Sequence, residues 1–277
     1  MVEECCDLPI GVFDSGVGGL TVLNALRQAL PDESLLYLGD TARVPYGTKS
    51  AESVTRYAAQ AAAALINRKI KLLVIACNTA SAVAVEPLQT IFPNIPVVGV
   101  IDPGAKACSL QTQTGSVGVI ATEGTVTNGA YQQAISRIMP QAKVHSQPCS
   151  MFVALAEEGW HSGELVEQIV SRCLEPLLQS HQQEAPIDTL VLGCTHFPVL
   201  KDAISNICGD EIAIVDSATT TANEVAALLD KHQIAAVKKR SVVNFLVTDG
   251  PERFVRVASH FFDEDIDLGS VELIDLN

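Results

Sequence analysis

The sequence predicts an α/β protein with two pseudo-symmetric lobes, each built on a mainly parallel sheet. Short apolar runs alternate with segments of helical periodicity along the 277 residues, which is typical of sheets covered by helices. Runs such as 72–76 are apolar at successive positions, as in parallel strands that are buried on both faces. Two such runs also occur a second time, which predicts a duplicated lobe.

The individual elements follow from the apolar runs and from the residues that end them. The first strand breaks at Asp14-Ser15-Gly16, and Pro31 ends the helix that follows. Strands are predicted at 10–13, 34–38, 72–76, 96–101, 116–121, 143–146, 189–192, 211–215 and 242–248. Helices are predicted at 20–30, 51–67, 127–139, 164–179, 219–231 and 251–261.

The duplication involves two motifs. Residues 10–16 are similar to 117–124, and residues 72–77 are similar to 189–194. Each half of the chain opens with one motif and later shows the other, at comparable separations. We therefore expect two similar lobes that carry one equivalent cysteine each.

The cysteines stand at positions 5, 6, 77, 108, 149, 173, 194 and 208. The chain starts with the acidic residues Glu3, Glu4 and Asp7 instead of the basic and apolar regions of a secretory signal. We therefore expect a cytoplasmic protein with reduced thiols. Cys5 and Cys6 are expected in a solvated tail, because no further ligands follow at the spacing of a zinc site.

Cys77 and Cys194 differ from the other cysteines in their surroundings. Each stands at the carboxyl end of a predicted strand, where ligands bind in open parallel sheets. Each also precedes polar residues, Asn78-Thr79 and Thr195-His196, which suit ligand binding and tuning of a thiol. We predict that the two thiols act as paired acid and base on one small substrate. The remaining cysteines are predicted to be structural: Cys108, Cys149, Cys173 and Cys208.

Three further polar residues are candidates for the site. Asp14 and Ser15 follow the first strand, and Ser15 suits either a helix N-cap or a substrate contact. The Asp14 carboxylate suits a substrate ammonium group or a proton shared with a thiol. His196 suits proton exchange with Cys194, although a core histidine fits the same pattern.

The glycine-rich segment 16–19 allows an alternative, a dinucleotide site with Asp40 as the ribose-binding acid. The match is weak because Thr21 occupies the third glycine position of GxGxxG. The sequence contains no GxxxxGK[ST] or HExxH pattern, so it supports neither nucleotide hydrolysis nor zinc chemistry. We expect no cofactor and no metal.

The net charge of -14 opposes binding to nucleic acids and to anionic membranes. It remains compatible with a small anionic substrate, which backbone N–H groups and hydroxyls can hold. No run of about 18 apolar residues predicts a membrane span. A homodimer is compatible with the sequence, which does not determine the oligomeric state.

Several motifs together resemble those of the glutamate racemase family. In chain order they are Gly11-Val12-Phe13-Asp14-Ser15-Gly16-Val17-Gly18-Gly19-Leu20-Thr21-Val22, Tyr37-Leu38-Gly39-Asp40, Pro45-Tyr46-Gly47, Ala76-Cys77-Asn78-Thr79-Ala80-Ser81 and Leu192-Gly193-Cys194-Thr195-His196-Phe197-Pro198. They span most of the chain, and both catalytic cysteine positions of the family are retained.

The resemblance implies a cofactor-independent interconversion of L- and D-glutamate, which supplies D-glutamate for peptidoglycan. It implies that Cys77 serves the D-enantiomer and Cys194 the L-enantiomer. One thiol would remove the Cα proton while the other returns a proton to the opposite face. Asp14 and His196 would assist these two thiols respectively.

The resemblance also implies that Glu157, which precedes Glu158, is the acidic partner of the histidine. The implied substrate contacts are Asp14, Ser15, Tyr46, Gly47, Asn78, Thr79, Thr195 and His196.

The family fold implies a first lobe of residues 1–100 plus 217–277, which carries Cys77, and a second lobe of residues 101–216, which carries Cys194. It implies that the active site lies in the cleft between these two pseudo-symmetric lobes. Other activities remain open at this point. A related two-thiol enzyme could act on aspartate, a hydantoin or another acid. The alternatives of another class are a non-catalytic amino-acid sensor and a one-thiol lyase, and retention of both thiols argues against each.

Overall fold

The structure, a computed structural model, describes residues 6–179, 186–237 and 241–276. Its strands in these ranges are β1 (Ile10–Asp14), β2 (Leu35–Gly39), β3 (Leu72–Ile75), β4 (Val97–Gly99), β5 (Ser116–Ala121), β6 (Lys143–Pro148), β7 (Thr189–Gly193), β8 (Ala213–Asp216), β9 (Val243–Val247) and β10 (Val271–Leu273).

The α-helices of the described ranges lie between these strands. They are α1 (Leu20–Ala29), α2 (Ala51–Asn67), α3 (Asn78–Ile91), α4 (Ile101–Gln111), α5 (Glu123–Asn128), α6 (Ala130–Ile138), α7 (Met151–Glu157), α8 (Glu164–Gln179), α9 (Lys201–Cys208), α10 (Ser217–His232) and α11 (Pro251–Ala258). Within the same ranges, no helix is long and apolar enough to cross a membrane.

The strands form two sheets, one in each lobe. The first sheet has the order β10-β9-β2-β1-β3-β4, and the second has the order β6-β5-β7-β8. Each pair of neighbouring strands in the described chain is parallel. Parallel neighbours need long crossover connections, which the helices provide. The predicted α/β class and the two lobes are thus confirmed.

Both faces of each sheet are covered by apolar side chains. In β1, Val12 and Phe13 belong to core clusters on opposite faces of the sheet. In β5, Val119 and Ile120 likewise belong to clusters on opposite faces. Because successive residues of a strand point to opposite faces, a continuous apolar run fills two cores at once. This is the physical reason that the apolar runs predicted parallel strands.

The internal repeat corresponds to two neighbouring central strands in each sheet. Gly11 of β1 lies opposite Leu73 of β3, and Gly118 of β5 lies opposite Leu190 of β7. Since each repeated motif occupies the same place in its sheet, the cysteines that follow β3 and β7 are in equivalent positions. The predicted duplication is confirmed.

The structure differs from the predicted elements mainly at the helices. The predicted helix at 127–139 is interrupted, because Gly129 has a φ of 70° and separates α5 from α6. A left-handed glycine ends a helix in this way. The predicted strand at 96–101 ends at Gly99 because α4 starts at Ile101. The prediction omitted the following elements: α3, α4, α7, α9 and β10.

Cys6 is buried rather than solvated. This residue is 5% exposed, and its Sγ lies 3.6 Å from the carbonyl oxygen of Gln233. The prediction of a solvated tail is therefore wrong for Cys6, because the chain before β1 packs against the end of α10. Cys5 lies outside the described residues.

A buried ion pair joins four chain segments at the amino-terminal ends of the strands. Lys71 Nζ lies 2.5 Å from Glu33 Oε2, and it donates to the carbonyl oxygens of Cys6 and Ile234. The other oxygen of Glu33 accepts from the backbone N–H of Ala236. The ammonium group therefore has three acceptors, as a charge removed from water requires.

We expect Lys71→Met to lower the free energy of unfolding by about 3–5 kcal/mol, because it leaves the Glu33 carboxylate buried without its partner. Lys106→Met is the matched control, since the ion pair of Lys106 with Glu224 lies at the surface. That loss should be about 1 kcal/mol or less. Urea unfolding followed by circular dichroism measures both values. Equal losses in the two variants would contradict this account.

Candidate active site

The predicted site residues lie at the carboxyl-terminal ends of strands from both sheets. Asp14 ends β1, Cys77 lies two residues after the end of β3, and Cys194 directly follows β7. The two cysteines are only 6% and 5% exposed, respectively. Ligands bind at such strand ends in open parallel sheets, and here two sheets direct their strand ends to one cleft.

Cys77 is held as a neutral thiol. Burial raises the pKa of Cys77 to about 12, and electrostatic interactions with Asp14 and Cys194 act in the same direction. Hydrogen bonds from Ser15 and from the backbone N–H of Ala80 oppose this rise. Because the thiolate is the reactive form, Cys77 must transfer its proton to a neighbouring group before it can act as a base.

Asp14 is fully buried on the Cys77 side of the cleft. Its Oδ2 accepts the backbone N–H of Gly16 at 2.8 Å, whereas Oδ1 is buried without a hydrogen-bond partner among the described residues. Burial raises the pKa of Asp14, and the charge of His196 and backbone N–H groups oppose that rise. The free oxygen is available to a proton or to a substrate ammonium group.

Cys194 begins a series of polar contacts that ends in the first lobe. Cys194 Sγ lies 3.8 Å from His196 Nδ1, and His196 Nε2 lies 3.1 Å from Glu157 Oε1. Glu157 Oε2 accepts a hydrogen bond from Arg253 at 2.8 Å. The contact to the histidine therefore comes from Glu157, whereas its neighbour Glu158 is exposed.

These contacts favour the imidazolium form of His196. Burial by itself would lower the pKa of His196, but the contacts with Cys194 and Glu157 outweigh it and raise that pKa to about 10. The hydrogen bond with His196 is the main cause that lowers the pKa of Glu157, against the effect of burial. At neutral pH, a charged imidazole therefore faces Cys194, whereas a carboxyl group faces Cys77.

The first turn of α3 presents polar groups to the second lobe. Asn78 Oδ1 accepts the Tyr131 hydroxyl at 2.7 Å, and Asn78 Nδ2 is buried without a partner among the described residues. Thr79 Oγ1 lies 3.1 Å from Thr122 Oγ1 and 3.3 Å from Thr125 Oγ1. A cluster of hydroxyls therefore spans the two lobes beside Cys77.

The sequence did not single out Thr122, Thr125 or Tyr131. A signal for Thr122 was present, because the internal repeat aligns it with Ser15. Tyr131 carried no such signal, since its place in the site depends on how α6 packs against its own sheet.

A buried polar cluster holds Tyr46 and Gly47. The Asp40 carboxylate accepts hydrogen bonds from the Tyr46 hydroxyl, from Arg43 Nε at 2.7 Å and from the Thr248 hydroxyl at 2.9 Å. Both carboxylate oxygens are therefore committed within the protein. Asp40 anchors this loop and does not have the free carboxylate that a ribose contact requires.

Gly18 lies where the two lobes touch, and this contact is the reason that the turn needs a glycine here. A Cβ at this position would lie 2.4 Å from His196 Nδ1 and 2.6 Å from Thr195 Oγ1. A side chain would therefore push the second lobe away. The Thr195 carbonyl also accepts the Thr21 hydroxyl at 3.0 Å, which adds a hydrogen bond to this contact.

No metal centre is evident in the part of the chain that the structure describes. Within it, no group of three or more His, Cys, Asp or Glu side chains is arranged to hold a metal ion.

We expect Glu157→Gln to lower the pKa of His196 from about 10, because a neutral amide stabilises an imidazolium less than a carboxylate does. A raised pKa in the folded state contributes stability below about pH 6.5, and this contribution is lost as the pH rises through 10. Between about pH 6.5 and pH 10, the variant should therefore lose less stability than the parent chain.

NMR titration of isotopically labelled histidines measures this pKa, and His196→Asn assigns the signal. Glu158→Gln is the matched control, because it removes a neighbouring carboxylate that is exposed. The same downward change in both variants would rule out the specific contact with Glu157.

Known proteins that are similar to this chain fall into one family. The family model of the Asp/Glu/Hydantoin racemases matches residues 10–225. A glutamate racemase from Geobacter metallireducens is 50% identical over 253 residues, which cover 91% of this chain and 92% of the relative.

Solved structures of similar proteins have the same fold over nearly the whole chain. A glutamate racemase isoform from Bacillus anthracis has a TM-score of 0.91 at 38% identity, over 97% of this chain and 98% of its own. The glutamate racemase from Francisella tularensis, solved in complex with D-glutamate, has a TM-score of 0.88 at 38% identity, over 98% and 99% of the two chains. This chain therefore belongs to the Asp/Glu/hydantoin racemase family, and its resemblance to the glutamate racemases within that family is confirmed.

Proposed function

We propose that this protein interconverts L- and D-glutamate by a cofactor-independent, two-base mechanism. The observation that carries the proposal is the pair of buried thiols at equivalent strand ends of two lobes, each beside its own proton-exchanging group. A single planar carbanion formed between them would be reached by one thiol on each face.

The chemical difficulty is the low acidity of an amino-acid Cα proton. A thiolate is too weak a base to remove it in water, so positioning and preorganised hydrogen-bond donors must lower the barrier. Only interactions that are stronger in the transition state than in the bound substrate raise the rate. The buried surroundings of the two thiols support this requirement, because electrostatic interactions strengthen where water is excluded.

The two thiols take opposite roles in the two directions. In the conversion of L-glutamate, Cys194 removes the Cα proton while the neutral Cys77 thiol returns a proton to the opposite face. In the conversion of D-glutamate, Cys77 first gives its proton to Asp14 and then acts as the base. His196, charged at neutral pH, supplies the proton that Cys194 needs in that direction, and Glu157 keeps the imidazole charged and oriented.

The remaining predicted residues are proposed to hold the substrate. Donors from both lobes suit its carboxylates, namely Ser15, Asn78, Thr79 and Thr195. The free Nδ2 of Asn78 supports this assignment, since a buried donor without a partner costs about 1–3 kcal/mol unless a ligand fills its place.

Further contacts are proposed at the ends of the substrate. The free oxygen of Asp14 suits the substrate ammonium group. Tyr46 and Gly47 lie in the loop that Asp40 anchors, and Thr122 adds a hydroxyl from the second lobe.

Glutamate is favoured over aspartate and hydantoins by the similarity to a glutamate racemase that is 50% identical. A relative with the same fold over nearly the whole chain binds D-glutamate. A sensor or a one-thiol lyase is less well supported, because neither requires a proton-exchanging group beside each of two thiols.

We also propose that residues 1–100 with 217–277 form the lobe of Cys77, and that residues 101–216 form the lobe of Cys194. The packing of α10 against α1 supports the first assignment, and the packing of α4 with α6 supports the second. The product D-glutamate would serve peptidoglycan synthesis in the cytoplasm. A homodimer remains a prediction from the sequence.

In deuterated water, we expect the parent chain to form product enantiomer that carries deuterium at Cα, while the remaining substrate enantiomer stays protonated early in the reaction. Two bases on opposite faces require this pattern, because the thiol that returns the proton is not the one that removed it. Circular dichroism follows racemisation, and proton NMR follows the Cα signal. Rapid exchange into the remaining substrate without racemisation would indicate a one-base enzyme.

Cys77→Ser and Cys194→Ser should each reduce racemisation by at least about 100-fold, because each removes one proton-transfer group. Cys208→Ser is the matched control, since this half-buried cysteine lies on α9 away from both strand ends. It should leave the rate within about twofold of the parent, as expected for a substitution outside the site. Full activity in either of the first two variants would remove that cysteine from the mechanism.

A further inference from the structure

Tyr131 contacts the residue that follows Cys77 and the residue that precedes Cys194. It lies on α6 of the second lobe and is only 1% exposed. Its ring packs in the core of the second sheet, together with residues of β5 and β7. Its hydroxyl leaves that core and bonds to Asn78, the residue that follows Cys77 in the first lobe. One side chain therefore links the core of one lobe to the thiol-bearing turn of the other.

The ring of Tyr131 packs closely against two glycines, where any side chain would collide with it. A Cβ on Gly193 would lie 2.9 Å from Tyr131 Cε2, and a Cβ on Gly104 would lie 3.3 Å from Tyr131 Cε1. Gly193 is the last residue of β7 and directly precedes Cys194. The ring thus rests against the backbone next to one thiol, while the hydroxyl contacts the residue next to the other.

The hydrogen bond also determines which end of the Asn78 amide faces the cleft. The Tyr131 hydroxyl donates to Oδ1 at 2.7 Å, which leaves the two protons of Nδ2 without a partner among the described residues. An amide whose oxygen is engaged presents only donors to the cleft. Donors are what an anionic carboxylate requires, and a flipped amide would turn an acceptor toward it.

The Tyr131 hydroxyl carries a proton, which it needs in order to donate to Asn78. Burial raises the pKa of the Tyr131 hydroxyl far above its usual range, and an electrostatic interaction with Cys194 acts in the same direction. The hydroxyl therefore keeps its proton at neutral pH, and it remains a donor to Asn78.

We infer that Tyr131 is a positioning residue, which orients the Asn78 amide so that Nδ2 donates to a carboxylate of the substrate and which fixes the turn after Cys77 relative to Cys194. This inference rests on the proposed function, because it takes the ligand of the Asn78 amide to be glutamate. Tyr131 itself does not touch the reacting atoms, so its effect passes through Asn78.

Tyr131→Phe tests the hydroxyl while it keeps the ring in place. Loss of the orienting hydrogen bond should raise both KM and the Kd for D-glutamate about tenfold. The value of kcat should change less than about threefold, because a carboxylate contact holds the substrate and the transition state alike. Racemisation followed by circular dichroism gives the kinetic constants, and calorimetry with D-glutamate gives the Kd.

A double-mutant cycle separates this role from a purely structural one. In an Asn78→Ala background, Tyr131→Phe should change KM by less than about twofold, because its target is already absent. Ser116→Ala is the matched control, since it removes another buried hydroxyl of the second lobe at the amino-terminal end of β5. It should leave KM and the Kd at the parent values.

The outcomes distinguish the two proposals. An unchanged KM in Tyr131→Phe, or the same tenfold effect in the Asn78→Ala background, would overturn the role of Tyr131 while leaving the proposed function intact. A lower Tm with an unchanged Kd would show that the hydroxyl serves stability only and would also overturn it. A parent chain that neither binds nor racemises glutamate would overturn the proposed function and, with it, the ligand named for Asn78.

Discussion

The separation and opposition of two thiols is the constraint on which the rest of the site depends. Cys77 and Cys194 follow strands that hold equivalent places in two different sheets. A duplicated lobe meets such a requirement directly, because two copies of one strand end can face each other across a cleft. The remaining features either hold the lobes at the right distance, as Gly18 does, or adjust the proton affinity of one thiol.

The duplication supplies the geometry, but the electrostatics of the two halves differ. Burial and a neighbouring carboxyl keep Cys77 protonated, whereas Cys194 faces an imidazole that its own contacts keep charged. A symmetric pair with two carboxyl groups would place two like charges close together at high cost. The difference therefore lets one side store a proton in a neutral thiol while the other side stores it on a cation.

The sequence predicted the strands, the duplication and the position of Cys77 and Cys194 at strand ends well, because continuous apolar runs and polar residues at their ends are local signals. It was less informative where a role depends on packing. Helix α3 was missed because Pro87 interrupts its pattern and polar residues occupy its first turn. The burial of Cys6 and the position of Tyr131 depend on contacts with residues far away in the chain, and no local pattern contains that information.

Glu157 contacts both lobes, and its two contacts should respond differently to ionic strength. One oxygen of Glu157 meets the buried His196, and the other meets Arg253, whose side chain is 55% exposed. Dissolved ions screen exposed pairs strongly and buried pairs weakly. Added salt should therefore loosen the attachment between the lobes at Arg253 before it disturbs the proton on His196. The Glu157 carboxylate thus takes part in one contact that is sensitive to salt, with Arg253, and in one that is resistant to it, with His196.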